Sequence, residues 1–286
     1  MTRFNRIYYY AVLGSLGGLI SWQISNMISL SLLENIYLSE IVVGGLIGFC
    51  FGLLIGTAEG IFRKSIPYAI RSGLISGGLG LLGGAIGLPV AEALFQLIGG
   101  QPWVRSLGWG IFGALVGLGI GYTGGSQAWK PALGGFIGGV LGGTILEVAR
   151  IRFSNPLTGK FVGLTLLGAS IGVLIALIVL LLSKAWLEVT SGKLAGSEFI
   201  LDKFIKSSGP TAFIGSDALK SDIVLPDPDI APRHASLTGA DSHMLIKDMS
   251  MSGTYLNGRK VEQGKLANRQ KIKVGNTNLV FHEKRN

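Results

Sequence analysis

Glycines recur every four residues through long apolar stretches in the first two thirds of the sequence. Gly44, Gly48, Gly52, Gly56 and Gly60 form one series, and Gly113, Gly117, Gly121 and Gly125 a second. A third stretch doubles the pattern as Gly134-Gly135, Gly138-Gly139 and Gly142-Gly143. A step of four stays on nearly one face of an α-helix and drifts slowly around it. In lipid no hydrophobic force drives helix onto helix, so small residues that let backbones approach supply the contact energy. The stripes predict closely packed membrane helices, and homo-oligomers through the same stripes are a further expectation. Collagen is excluded, because the glycines follow no three-residue period.

Six stretches, near 8–28, 41–61, 74–97, 108–125, 132–149 and 161–182, are apolar and close to the roughly 20 residues that span a bilayer. The fourth and fifth are short and rich in glycine. Arg3 and Arg6 precede the first as in a signal peptide, but no small-residue cleavage site follows, so it reads as a retained helix. Charge is correspondingly scarce, at 14% of the chain against about 25% in soluble domains. Residues 1–190 hold 36 of the 45 glycines and no Asp or His, whereas 191–286 hold all seven Asp and all three His. The chain therefore divides into a transmembrane helical domain over 1–190, a short flexible linker over 191–197 and a second domain over 198–286.

Basic residues set the orientation. Arg3, Arg6, Arg63, Lys64, Arg71, Lys130 and Lys184 fall on the side of the N-terminus, and Arg105, Arg150, Arg152 and Lys160 on the other. The first opposite loop carries Glu34 and Glu40. Both ends of the chain are expected in the cytoplasm, in a membrane such as a bacterial inner membrane, although the 150–160 segment points the other way.

Several chemistries are excluded. The single cysteine, Cys50, rules out intrachain disulfides and cysteine-ligated zinc or iron–sulfur sites. The membrane half has no His base for a Ser–His hydrolase and no Asp pair for an aspartyl protease. The net charge of +9 is spread without blocks, which argues against nucleic acid as a partner. No cofactor or metal is expected. Candidate membrane carboxylates are Glu59, Glu92 and Glu147, each near a span end. Glu59 stands four before Arg63 and Glu147 three before Arg150, spacings that allow local ion pairs. The other reading is a proton- or ion-coupled path through Glu92 or Glu147. The segments Arg63–Glu92 and Lys130–Glu147, with Pro67 and Pro131 near their starts, form a candidate internal repeat.

From Glu198 the pattern becomes short strands: EFILDKFI, TAFIG, DIVL, HASL, HMLIKD, TYLNG, KIKV and LVF, with Asn257-Gly258 as a hairpin turn. The spacing predicts a small β-sandwich. Three pieces occur in order: Ile214-Gly215-Ser216 with Ser221 to Pro226, then Pro232-Arg233-His234-Ala235, then Asp248 through Ser252-Gly253-Thr254-Tyr255-Leu256-Asn257-Gly258. The ordered set resembles a forkhead-associated (FHA) domain over 198–284. The whole chain then reads as an α-helical multi-span membrane bundle followed by an all-β FHA-type sandwich.

The resemblance implies an eleven-stranded sandwich whose loops at one end read phosphothreonine in a partner protein. It also implies phosphate contacts from an Arg after Gly, a Ser in Ser-x-x-His and an Asn before Gly-Thr. Here Ser216, Ala231 and Ser252 stand at those positions, while Gly215, His234, Gly253 and Gly258 are kept as structural positions. Candidate ligand contacts are Ser216, Lys220, Arg233, Ser252, Thr254 and Asn257. Lys220 and Arg233 are either replacements for the missing Arg or solvated surface charges. Ser216 offers a phosphate only a neutral hydroxyl, worth about 1 kcal/mol where a charge-assisted bond gives roughly 1.5–3 kcal/mol. The expected function is a membrane-anchored interaction module whose phosphothreonine dependence is reduced; the alternative is a channel or transporter with a regulatory FHA domain.

Overall fold

A computed structural model describes residues 3–27, 36–62, 65–100, 102–240 and 243–284. Six helices come first: α1 (Arg3–Met27), α2 (Ile36–Phe62), α3 (Ile66–Leu97), α4 (Pro102–Thr123), α5 (Trp129–Arg152) and α6 (Pro156–Leu182). Where six spans are expected from sequence, five helices of the described residues, α2 to α6, are long and apolar enough to cross a membrane. Helix α1 carries Tyr8, Tyr9, Tyr10, Asn5 and Gln23, which dilute its apolar character. It still completes the bundle by packing between α2 and α6. The helices form a ring in which each contacts its neighbours in sequence, with α1 closing onto α6.

Helix starts follow the local chemistry. Ser65 caps α3 by accepting the Tyr68 N–H, with Pro67 in the first turn, which carries α3 further toward its N-terminus than hydropathy alone implies. Asn155 caps α6 in the same way, accepting the Leu157 N–H at 2.9 Å.

The glycine stripes face other helices of the same chain. Gly44, Gly48 and Gly52 of α2 meet Gly84, Gly80 and Ser76 of α3, each four-residue step on one helix matching one on the other. Gly14 and Gly18 of α1 meet Gly168 and Leu164 of α6 in the same manner. The doubled glycines of α5 are two adjacent stripes. Gly135, Gly139 and Gly143 face α4, and Gly134, Gly138 and Gly142 face α6. At Gly48, Gly113 and Gly135 a Cβ would sit on the carbonyl oxygen of the facing backbone, well inside contact distance. An oligomer built on these stripes would need faces that the chain already closes on itself. Inside the ring, Phe51, Ile55, Phe112, Val116 and Ile171 are fully buried.

The second domain is a two-layer sandwich of β1 (Ala185–Val189), β2 (Glu198–Ile200), β3 (Ala212–Gly215), β4 (Ile223–Val224), β5 (Ala235–Ala240), β6 (His243–Asp248), β7 (Thr254–Leu256), β8 (Arg259–Val261), β9 (Gln263–Leu266), β10 (Gln270–Val274) and β11 (Thr277–Glu283). One sheet runs β2-β1-β11-β10-β7-β8 and the other β4-β3-β5-β6-β9. Between them lies a core that includes Leu187, Ile214, Leu237, Ile246, Ile272 and Phe281.

The junction differs from the sequence expectation. Residues 185–189 form the first strand, paired with β11 from Ala185↔Glu283 to Val189↔Leu279. Residues 191–197 are the turn between β1 and β2, so the chain passes from bundle to sandwich over Ser183-Lys184 with no flexible linker. Ala185, Leu187 and Val189 point into the sandwich core, and this alternating burial makes AWLEV a strand directly after a span. EFILDKFI is likewise a strand only over Glu198–Ile200, after which Asp202–Phe204 make one 3-10 turn.

The packing predicts opposite effects for two glycine substitutions. Gly113→Ala must push α4 off α5 and should destabilise by about 1–3 kcal/mol. Gly78→Ala enters open space and should be neutral or stabilising by up to about 1 kcal/mol. Thermal melts of the purified variants in detergent distinguish the two.

Candidate functional site

Register fixes which loops share an end of the sandwich. β1 starts at the bundle, and Ala185 there pairs with Glu283 at the end of β11. The opposite end collects Val189, Leu279 and Thr277, then Val274 and Thr254 through the β10–β11 and β10–β7 pairings. In the second sheet, Ile214, Ala235 and Asp248 lie side by side at that same end. The loops after β3, before β5 and after β6 therefore gather at the end pointing away from the bundle.

A buried network ties them together. His234 is fully buried. Its Nδ1 accepts the Ala231 N–H at 3.3 Å, and its Nε2 lies 3.2 Å from Gly253 O and 3.1 Å from Ser250 Oγ. Nε2 carries the proton in this arrangement, since the Gly253 carbonyl can only accept. Ser250 Oγ accepts the Gly253 N–H at 2.9 Å and donates to Asp248 Oδ1 at 2.9 Å. Thr254 Oγ1 donates to the same oxygen at 2.8 Å. Burial pushes the Asp248 carboxyl up, but the hydroxyls of Thr254 and Ser250 and the Ser250 N–H outweigh it and hold the group below the usual carboxylate range.

Of the sequence candidates, Ser216 donates its hydroxyl to Ile230 O at 2.8 Å and its N–H to Ala231 O at 3.1 Å. It braces the loop and does not present a free hydroxyl. Gly215 is kept because Pro232 O and Ser221 Oγ occupy the place of a Cβ. Arg233 is exposed, donates from Nε to Lys220 O at 3.0 Å and lies 4.5 Å over the Phe213 ring. Lys220 is exposed, with its ammonium 3.8 Å from Asp217. Ser252 is exposed on the loop after β6.

Two expectations are corrected. Thr254 is fully buried and committed to Asp248, so it is a bracing residue. Asn257 lies at the other end of β7, nearer the bundle. There its N–H and Oδ1 clasp the Lys271 backbone at 3.0 and 3.1 Å, and with Gly258 it closes the β7–β8 hairpin at positive φ.

Lys260 joins the site from a strand that the sequence reading did not isolate. The pairing Tyr255↔Lys260 lays its side chain against Gly253, whose φ is +87°. The hairpin signal Asn257-Gly258 was the available clue, because it places 260 opposite 255.

The three candidate membrane carboxylates, Glu59, Glu92 and Glu147, are each paired. Glu59 bonds Arg6 of α1 and accepts from Tyr10 Oη at 2.9 Å; its expected partner Arg63 lies outside the described residues, as do Lys64 and Glu34. Glu147 pairs with Arg150 at 2.9 Å as its spacing implied. Glu92 pairs with Arg105 across α3 and α4 at 2.9 Å. Glu59 is at the end of the bundle that bears the sandwich and the other two are at the opposite end.

A second cluster joins the two domains. Lys130, at the start of α5, is 1% exposed and donates to Asp202 Oδ2 at 2.6 Å and to Leu182 O at 2.7 Å. Asp202 Oδ1 accepts the N–H groups of Lys184 and Ala185 at 2.7 and 3.0 Å. The Lys203 N–H bonds Gly125 O at 2.9 Å, and Lys203 Nζ bonds Tyr122 O at 3.0 Å. The sandwich is seated on the α4–α5 loop.

The second domain is thus a two-sheet sandwich whose His-braced loops gather at the end away from the helical bundle. A family described as "Inner membrane component of T3SS, cytoplasmic domain" matches residues 188–285. The glycogen accumulation regulator GarA of Mycobacterium tuberculosis is 36% identical over 98 residues, covering 34% of this chain and 56% of that protein. The oxoglutarate dehydrogenase inhibitor of Corynebacterium jeikeium is 33% identical over 98 residues, 34% of this chain and 63% of that protein. The chain thus spans about half to two thirds of the length of these relatives. The solved FHA domain of CT664 from Chlamydia trachomatis is 35% identical, with 36% of this chain and all of that one covered and a TM-score of 0.32. The C-terminal third of the chain is an FHA domain.

Breaking one partner of the buried pair, as in Lys130→Met or Asp202→Asn, should destabilise by about 3–5 kcal/mol, and the double variant Lys130→Met/Asp202→Leu by less than either single change. Chemical denaturation of the full chain reads this. The depressed Asp248 and Asp227 carboxyls add stability that is fully present above about pH 4, their unfolded range, and lost as pH falls through their folded values. Asp248→Asn should be less stable than wild type at pH 6 and lose less on acidification to pH 3.

Proposed function

We propose that this protein is a membrane-held docking module. Its FHA domain sits on the cytoplasmic face of a multi-pass bundle, in a membrane of the bacterial inner-membrane type, and presents its distal loops to a protein partner. The observation that carries this reading is the pairing of an intact loop brace with an altered phosphate site. His234, Asp248 and Ser250 hold the loops in place, while the hydroxyl of Ser216 is already spent on Ile230 O. Phosphothreonine dependence then rests on the cations at the rim, Lys220, Arg233 and Lys260, and is weak. The reading is of an interaction protein and not of an enzyme or a nucleic-acid binder.

Transport through the bundle has less support. The carboxylates that would carry it are ion-paired at opposite ends, with Phe51, Ile55 and Phe112 between them. Homo-oligomers, if formed, would use lipid-facing surfaces other than the filled glycine stripes.

Restoring the missing donor tests the site. Ser216→Arg should tighten phosphothreonine-peptide binding by at least tenfold, the effect of one charge-assisted bond of roughly 1.5–3 kcal/mol. Unphosphorylated peptide should bind both forms alike. Isothermal titration of the full chain in detergent with a degenerate phosphothreonine peptide pool reads both. An unchanged phosphopeptide affinity in Ser216→Arg would place partner docking elsewhere on the domain.

A further inference from the structure

A cavity of about 250 Å3 lies at the end of the bundle opposite the FHA domain. Its wall carries Glu40, Glu92, Arg105, Glu147, Arg150 and Lys160, one or two from each of α2 to α6, with Trp109 among its apolar members. The charges balance, three carboxylates against three cations. Two pairs are satisfied within the protein: Glu92 with Arg105 at 2.9 Å and Glu147 with Arg150 at 2.9 Å.

Glu40 and Lys160 are left over. The Oε2 of Glu40 is shut off from solvent and has no hydrogen-bond partner among the described residues. Lys160 makes no ion pair among the described residues, and the charged group bearing on it is another cation, Arg150. Facing Glu40 are Glu92, Arg105 and Arg150. An unmatched carboxylate and an unmatched ammonium on one cavity are unfavourable in the empty protein. Together they are complementary to a molecule bearing one amine and one anion. Two neighbouring cations, Lys160 and Arg150, suit a phosphate as that anion.

We propose that this cavity binds a small zwitterion in which a primary amine and a phosphate lie a few bonds apart, with the amine on Glu40 and the phosphate on Lys160 and Arg150. The volume lies just below the roughly 300–1,000 Å3 of drug-sized pockets, which limits the bound portion to a headgroup-sized molecule. A phospholipid headgroup entering from the bilayer and a free phosphoamine present this same chemistry. The charges lie close to the helix ends, within the depth that a headgroup occupies.

The full-length protein in detergent is titrated with glycerophosphoethanolamine, and with glycerophosphoglycerol as the phosphate that lacks an amine, while Tm is followed. In parallel, protein in nanodiscs of equal parts phosphatidylethanolamine and phosphatidylglycerol is released into native mass spectrometry and its retained lipid identified. The expected result is saturable, amine-dependent binding, at least tenfold weaker for the glycerol compound. A response to the soluble compound with no selective retention of phosphatidylethanolamine identifies a free ligand; retention of phosphatidylethanolamine over phosphatidylglycerol identifies the lipid. Glu40→Gln removes the unmatched charge, so its ligand-free Tm should equal or exceed that of wild type while its affinity falls at least tenfold. Lys160→Met should weaken binding by a similar factor. Absence of amine-dependent binding in both arms, or wild-type affinity in Glu40→Gln, overturns the proposal.

Discussion

Close approach of backbones at glycine organises the membrane half. In hydrocarbon, apolar side chains gain little by leaving lipid for protein, so helices associate through the dispersion contacts that a missing side chain permits. Along α2 and α3, α4 and α5, and α1 and α6 at least one residue of most facing pairs is glycine, and a Cβ on Gly48, Gly113 or Gly14 would meet a carbonyl oxygen of the neighbouring helix. The doubled glycines of α5 let one helix serve two neighbours at once. The ring can then close around Phe51 and Phe112, whose centroids stand 5.7 Å apart, and the ion pairs Arg6–Glu59, Arg105–Glu92 and Arg150–Glu147 lie toward its ends.

The Lys130–Asp202 pair transmits that order to the FHA domain. A buried ion pair carries a large desolvation cost that only full hydrogen bonding offsets. Here Lys130 also donates to the last carbonyl of α6, and Asp202 also accepts the Lys184 and Ala185 N–H groups just beyond it. The pair therefore sits at the seam where helix becomes strand. With Lys203 bonded to Gly125 and Tyr122, the sandwich is held in one orientation and its His-braced loops face away from the membrane. A partner on those loops meets a domain already fixed relative to the bilayer, which lowers the orientational cost of assembly.

The bundle thus has two polar ends of different character. At the FHA end, Arg6, Tyr10 and Glu59 form a closed cluster. At the opposite end, the charges line a cavity and include Glu40, whose Oε2 has no partner among the described residues, and Lys160, which makes no ion pair among them. Matched charge closes a helix seam, whereas unmatched charge around an open volume is a recognition surface.

Local repeats were legible in the sequence. A four-residue glycine period dictates one close-packing face per helix, so the stripes specified helix pairing before any neighbour was known. The Glu147–Arg150 spacing gave its ion pair, and the ordered motifs from Gly215 through His234 to Asn257-Gly258 gave the FHA sandwich. What escaped depends on which elements become neighbours. AWLEV follows a span directly, and only β11, some ninety residues on, makes it a strand. Ser216 and Thr254 looked free for a ligand until Ile230 O and Asp248 occupied them. The Glu59–Arg6 pair, the Lys130–Asp202 latch, Lys260 beside Gly253 and the cavity of Glu40 and Lys160 all join residues from distant parts of the chain. Helical and strand periods fix which side chains share a face, but the partner of each face is set only when the whole chain packs.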